Sequence, residues 1–232
     1  TLMKTTKLIV SVFTALVMMF AAVETSAQVA SNKERNKIEK HEKVLNKSMK
    51  KKAIKAARKE AKRLKKEGYA VPLGQLPMDK QLENSWQAAY ELTPDGLPYY
   101  IISSQQGVAA NYTAAQMQAM NAAKMDIAGQ IQTMVNQVIE TKVASKELSR
   151  GEAESLNTFV STSKNIISNT LGRVIKLVEV YREPKRSNTV EVMITLGYSA
   201  EVAQKEALKA MKESLTPEDV ELMGQIDKLV TE

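Results

Sequence analysis

Apolar and polar positions along this chain follow two periods, and the switch between them divides it. From Asn111 to Ala144 the sequence reads NYTAAQMQAMNAAKMDIAGQIQTMVNQVIETKVA. Met117, Met120, Ile127, Ile131, Met134 and Val138 recur at steps of three, four or seven, which predicts one broad apolar face on a long helix. Ala114, Ala115, Ala119, Ala122, Ala123 and Ala128 add helix propensity and let a neighbour pack closely. Thr113 and Gln116 have the spacing of a capping box. After a break at Lys146–Gly151, Ser149 and Glu152 repeat that spacing. Leu156, Phe159, Val160, Ile166, Ile167 and Leu171 then mark a second helix, ended by Gly172. The two helices predict a hairpin.

The period then changes to two. Val174 to Arg182 (VIKLVEVYR) and Thr189 to Tyr198 (TVEVMITLGY) read as strands joined by the polar loop EPKRSN. Val190, Val192, Ile194, Leu196 and Tyr198 point one way and Thr189, Glu191, Met193 and Thr195 the other, as in an antiparallel hairpin with one face on a core. Pro98 to Val108 (PYYIISSQQGV) predicts an earlier strand, aromatic and β-branched at first, then polar. Ahead of it, Met78, Leu82, Trp86 and Tyr90 step by four along a helix starting at Pro77. Trp86 reads as the anchor that docks this helix. Two helices close the chain, one capped by Ser199 and one opening at Thr216-Pro217-Glu218-Asp219. The fold class is α+β: a small antiparallel sheet packed on a long helical hairpin, with a basic N-terminal helical arm and C-terminal helices.

The N-terminus has its own pattern. Lys4 and Lys7 precede an apolar run, Leu8 to Val23, and Thr25-Ser26-Ala27 supplies small residues for cleavage, the layout of a secretory signal peptide. Residues 28–68 form the arm. Ile38, Leu45, Met49, Ala53, Ala57, Ala61 and Leu64 make a narrow stripe in it, lysines cover the remaining circumference, and Gly68 stops it. Residues 69–97 supply a helix and linkers, and 98–232 the α+β body, which is expected to fold from a start near Pro72.

Charge sharpens that division. The net charge is +7, but Lys33 to Glu67 holds 16 Lys/Arg against 5 acids, or +11, while 68–232 holds 15 against 20, or −5. Lys50, Lys51, Lys52, Lys55, Lys59, Lys62 and Lys66 are the candidate contacts to an anionic surface. Nucleic acid is not expected as a partner, because export separates the two and no aromatic side chain is interleaved to stack on bases.

Candidate chemistry is sparse. Cysteine is absent and His41 is the single histidine. This excludes disulfides, thiolate sites and cysteine-linked lipid, and leaves a histidine-based metal site or triad little support. The glycines form no phosphate loop, and no Gly-x-Ser-x-Gly elbow occurs. Glu152/Glu154 and Glu218/Asp219 sit in first helical turns, where acids complement the helix dipole. The methionines at helical spacing read as core packing. Ser103, Ser104, Gln105 and Gln106 follow the first strand and could line a groove. No catalytic residue, metal or cofactor is expected.

The order strand, two helices, strand hairpin and helix over about 98–214 resembles the LPP-twenty family of small bacterial envelope proteins. The alanine-rich run at 114–140 and the stretch LGRVIKLVEVYREPKRSNTVEVMITLGYS at 171–199 carry the resemblance. The chain is also similar to exported proteins of the Bacteroides group. The resemblance implies an α+β body associated with the outer membrane and no established chemistry. The family's founding members are acylated on a cysteine, which this chain lacks.

The sequence therefore reads as an exported, non-enzymatic envelope protein, periplasmic or outer-membrane-associated. Its expected partner is an anionic envelope surface or another envelope protein, with a homo-oligomer left open. The alternatives are a soluble periplasmic module binding a small molecule or glycan, and an unrecognised hydrolase. Cleavage after Ala27 gives a mature chain beginning at Gln28; intact-mass measurement of protein from the envelope fraction tests this, and a species retaining Leu8–Val23 would make the protein membrane-anchored instead.

Overall fold

At Gly107 a strand and a helix approach so closely that no side chain fits between them. A Cβ there would lie 2.1 Å from the carbonyl oxygen of Ala115 and 2.7 Å from the amide nitrogen of Ala119. The computed structural model describes residues 51–93, 96–185 and 187–230, with nothing said of the Val230 side chain. The signal-peptide segment, the arm up to Lys50 and the Pro94-Asp95 part of the turn lie outside the described residues.

The described elements run α1 (51–66), α2 (Met78–Ala89), β1 (Tyr100–Ala109), α3 (Tyr112–Ala144), α4 (Arg150–Thr162), α5 (Lys164–Thr170), β2 (Ile175–Arg182), β3 (Val190–Ser199), α6 (Ala200–Glu213) and α7 (Val220–Val230). The protein is α+β. Its sheet has the order β1-β3-β2, antiparallel throughout, with Gly107 opposite Val192 and Glu179 opposite Ile194.

The inner face of the sheet lies on α3. Val190, Val192, Ile194, Leu196 and Tyr198 are all buried in the core they share with α3, as the period of two predicts. The face of α3 agrees with the sequence expectation at Ile127 and Ile131 and differs at the methionines. Its buried row is Ala115, Ala119, Ala123, Ile127, Ile131, Val135 and Ile139, at strict steps of four, with Ala128 beside it. Met117 is exposed, and Met120, Met134 and Val138 are only partly buried. The large side chains were expected at the centre of the stripe, but where β1 crosses only alanine leaves room, so the methionines flank the contact. The cap also differs. Asn111 accepts from the Ala114 amide at 2.9 Å, so it holds the helix start in place of a Thr113/Gln116 box.

The second helix of the hairpin is broken at Ser163, a fully buried residue that ends α4 and begins α5. Its hydroxyl donates back to Phe159 O at 2.7 Å, a local bond that competes with the helix ladder. The Ser149/Glu152 capping box forms as expected. Lys228 of α7 donates to Glu152, and that bond, with those from Ser149, holds the carboxyl at about 2, well below its usual range. Thr216 and Asp219 make a turn of their own, with the Thr216 hydroxyl donating to Asp219 at 2.7 Å, and α7 begins only at Val220.

The outer face is covered by α1 and α2. Ala57, Ala61 and Leu64 pack with Tyr69, Met78, Leu82, Val178 and Val180, and Met193 and a half-buried Trp86 lie against them. This corrects the reading of residues 28–68 as an arm apart from the body: over 51–66 the stripe is docked. Three turns of alanine suffice because the sheet and α2 bring the large side chains. A chain starting near Pro72 would uncover this cluster. Gly68 ends α1 as expected, at φ 90, with the Tyr69 amide donating to Leu64 O at 3.0 Å.

β1 is an edge strand. On its open side the Val108 amide donates to Gln118 Oε1 at 2.9 Å, and Ile102 O accepts from Gln130 Nε2 at 3.2 Å.

The Gly107 contact yields a stability prediction. Gly107→Ala forces β1 off α3 and should cost about 3 kcal/mol or more by chemical denaturation. Gly224→Ala, in α7 with nothing within 4 Å of the added Cβ, should instead gain about 0.5–1 kcal/mol.

Candidate functional site

The basic residues singled out in the sequence come together on the solvent side of α1. Because Ala53, Ala57, Ala61 and Leu64 turn inward, Lys51, Lys52, Lys55, Lys59, Lys62 and Lys66 are exposed, together with Arg58 and Lys65; Lys50 lies outside the described residues. Residues 51–66 hold nine Lys/Arg and one Glu, a net +8. Arg63 pairs with Glu60 and Glu67, each at 2.5 Å. Among the described residues no carboxylate pairs with the six candidate lysines. Docking through alanine holds the helix close to the sheet and leaves long cationic side chains as its outermost layer.

Ser103, Ser104, Gln105 and Gln106 do not share one face of the sheet. They lie within β1, so alternation sends Ser103 and Gln105 toward α3 and Ser104 and Gln106 to the other face. Ser104 accepts from the Thr195 hydroxyl at 3.0 Å, and Gln106 donates to Glu191 at 2.7 Å. Glu191 also holds Arg182 at 2.7 Å, and that guanidinium lies 4.8 Å from the centre of the Tyr69 ring. These contacts clamp the three strands to the segment after α1.

The densest polar cluster was not anticipated. Glu179, on the inner face of β2, is fully buried. Its Oε1 accepts from the Tyr112 hydroxyl at 2.7 Å and from Gln116, and its Oε2 accepts from Gln75 and from Lys176. Its own amide donates to Gln81 Oε1 at 2.7 Å. Burial works to raise its pKa, and the four donors outweigh that and hold it below the usual carboxylate range. Burial and the bond to Glu179 push the Tyr112 hydroxyl up, so it stays protonated and donates. A carboxylate has about four acceptor positions. All are occupied here, so Glu179 has no free position from which to take a proton from a substrate. What it does is join α3, β2 and the segment leading into α2. The signal in the sequence was a Glu placed mid-strand between Val178 and Val180.

Two open clefts lie elsewhere. One of about 610 Å³ is lined by Thr141, Lys142, Glu147, Glu201 and Lys205 among others, and one of about 460 Å³ by Arg150, Glu154 and Asn157 among others. Among the described residues no group of His, Asp or Glu is arranged to hold a metal ion, and no helix is long and apolar enough to cross a membrane. No protein-family model, curated protein or solved structure matches the chain.

The Glu179 cluster should register in the pH dependence of stability. Its folded pKa is depressed, so its contribution is fully present above the unfolded value of about 4.3 and is lost as pH falls through the folded one. Glu179→Gln should cost about 2–3 kcal/mol at pH 7, with the gap to the parent protein narrowing below about pH 4. Urea denaturation at a series of pH values measures this.

Proposed function

We propose that this chain is an exported, non-enzymatic protein of the bacterial envelope, with a structural or binding role, held at an anionic surface by the outer face of α1. The observation that carries the reading is the net +8 over residues 51–66, on a helix whose apolar row is already occupied by the sheet and α2. Arg63 is paired with Glu60 and Glu67, and the six candidate lysines of α1 have no carboxylate partner among the described residues. A basic segment gains roughly 1 kcal/mol for each Lys or Arg held near an anionic membrane. A handful of simultaneous contacts on one docked helix is then enough for micromolar affinity. The resemblance to the LPP-twenty family supports an envelope location. Without cysteine, lipidation of the kind used by that family's founding members is excluded, and the lysines supply an attachment in its place. Phosphorylated glycolipid headgroups have the matching charge.

Binding by this route weakens with salt, because the Debye length shrinks from about 10 Å at 0.1 M to about 3 Å at 1 M. Changing Lys50, Lys51, Lys52, Lys55, Lys59, Lys62 and Lys66 together to Gln should release the protein from anionic vesicles while leaving its melting temperature almost unchanged. Cosedimentation of the exported protein with anionic and neutral vesicles across salt concentrations is the test. Equal binding to both vesicle types would leave the lysines as a solvated surface.

A further inference from the structure

Directly after the cationic helix, the chain displays two leucines to solvent. Leu73 is fully exposed and Leu76 is 55% exposed. Their exposure is built into the backbone. The Gln75 amide donates to Pro72 O at 3.3 Å and Gly74 sits at φ 81, a tight turn that puts Leu73 at its outer corner. The same segment is pinned from beneath. Gln75 donates to the buried Glu179, and Gln81 donates to Leu76 O at 2.7 Å while accepting from the Glu179 amide. Polar groups of the turn thus face the body and apolar ones face away. Lys66 and Leu73 are seven residues apart in sequence, so they lie within about 25 Å of each other.

We propose that the Pro72–Leu76 turn is a membrane anchor, its two leucines entering the headgroup–acyl boundary of an anionic bilayer that the lysines of α1 attract. This rests on the cationic reading of α1 and adds a second, apolar contact to it. Two leucines on a convex turn are far smaller than the roughly 800 Å² per partner that a stable protein interface needs. A bilayer interface imposes no such minimum, because it deforms around the side chain. Peripheral attachment of this kind combines apolar burial with attraction to anionic lipid. The leucines set how long the protein stays, and the lysines select the surface.

With no cysteine in the chain, Leu73→Cys gives a single site for an environment-sensitive fluorophore, and Val220→Cys, at an exposed position on α7, gives a reference. On vesicles with a substantial fraction of anionic lipid, the label at 73 should shift to the blue and be quenched by lipids brominated near the headgroup. The label at 220 should not. The double variant L73S/L76S should bind about tenfold more weakly per leucine removed, with the salt dependence and melting temperature of the parent. Salt-sensitive binding that is unchanged in the double variant, or equal quenching at both labels, overturns the anchor and leaves the cationic surface standing. Failure of the unlabelled parent protein to prefer anionic vesicles overturns both.

Discussion

The contact on which the architecture depends is the one without side chains, where β1 crosses α3 at Gly107. It requires glycine on the strand and alanine at 115 and 119 on the helix. Once the two backbones are this close, the remaining geometry follows. α3 is held under the sheet, Val192 and Ile194 of the central strand come down beside the alanines, and β1 can pair only with β3. The larger residues further along the same row, Ile127, Ile131 and Ile139, then fill the space that widens away from the crossing and receive α4 to α7.

A sheet of three strands with one covered face would leave Val178 and Val180 in water. The chain solves this with residues that precede the sheet in sequence, laying α1 and α2 over the outer face. The two sides are then joined around the β2 edge by one buried carboxylate. Glu179 gathers Tyr112 and Gln116 from α3, Lys176 from its own strand and Gln75 from the approach to α2. Such a group is costly to bury and is retained only where every lone pair is met. Its effect is specificity: the loop before α2 has one seat, and that seat decides what the loop presents outward.

Periodicity made much of this legible. The strands, their antiparallel hairpin and the inward row of β3 follow from alternation, and the long helix from its length and composition. Three features were not legible, each for a physical reason. The N-terminal part of the buried row of α3 was misassigned because hydrophobicity favours Met117 over Ala115, whereas close packing favours the smaller residue. The docking of α1 was missed because a stripe of three alanines and a leucine carries little hydrophobic signal by itself, and its partners on the sheet lie more than a hundred residues away on β2. Glu179 was passed over because its four donors come from three separate segments, so no local spacing announces it. The serines and glutamines of β1 looked like one polar patch, whereas alternation along the strand divides them between its two faces.

The side-chain amides along the edge of β1 have a consequence for how the protein behaves in company. An uncovered strand rim is a template on which another chain can grow. Here Gln118 of α3 takes the outward-facing amide of Val108 and Gln130 the outward-facing carbonyl of Ile102, so one backbone group is capped near each end of the strand. Side-chain caps of this kind oppose growth of the sheet by addition of another strand at the β1 edge.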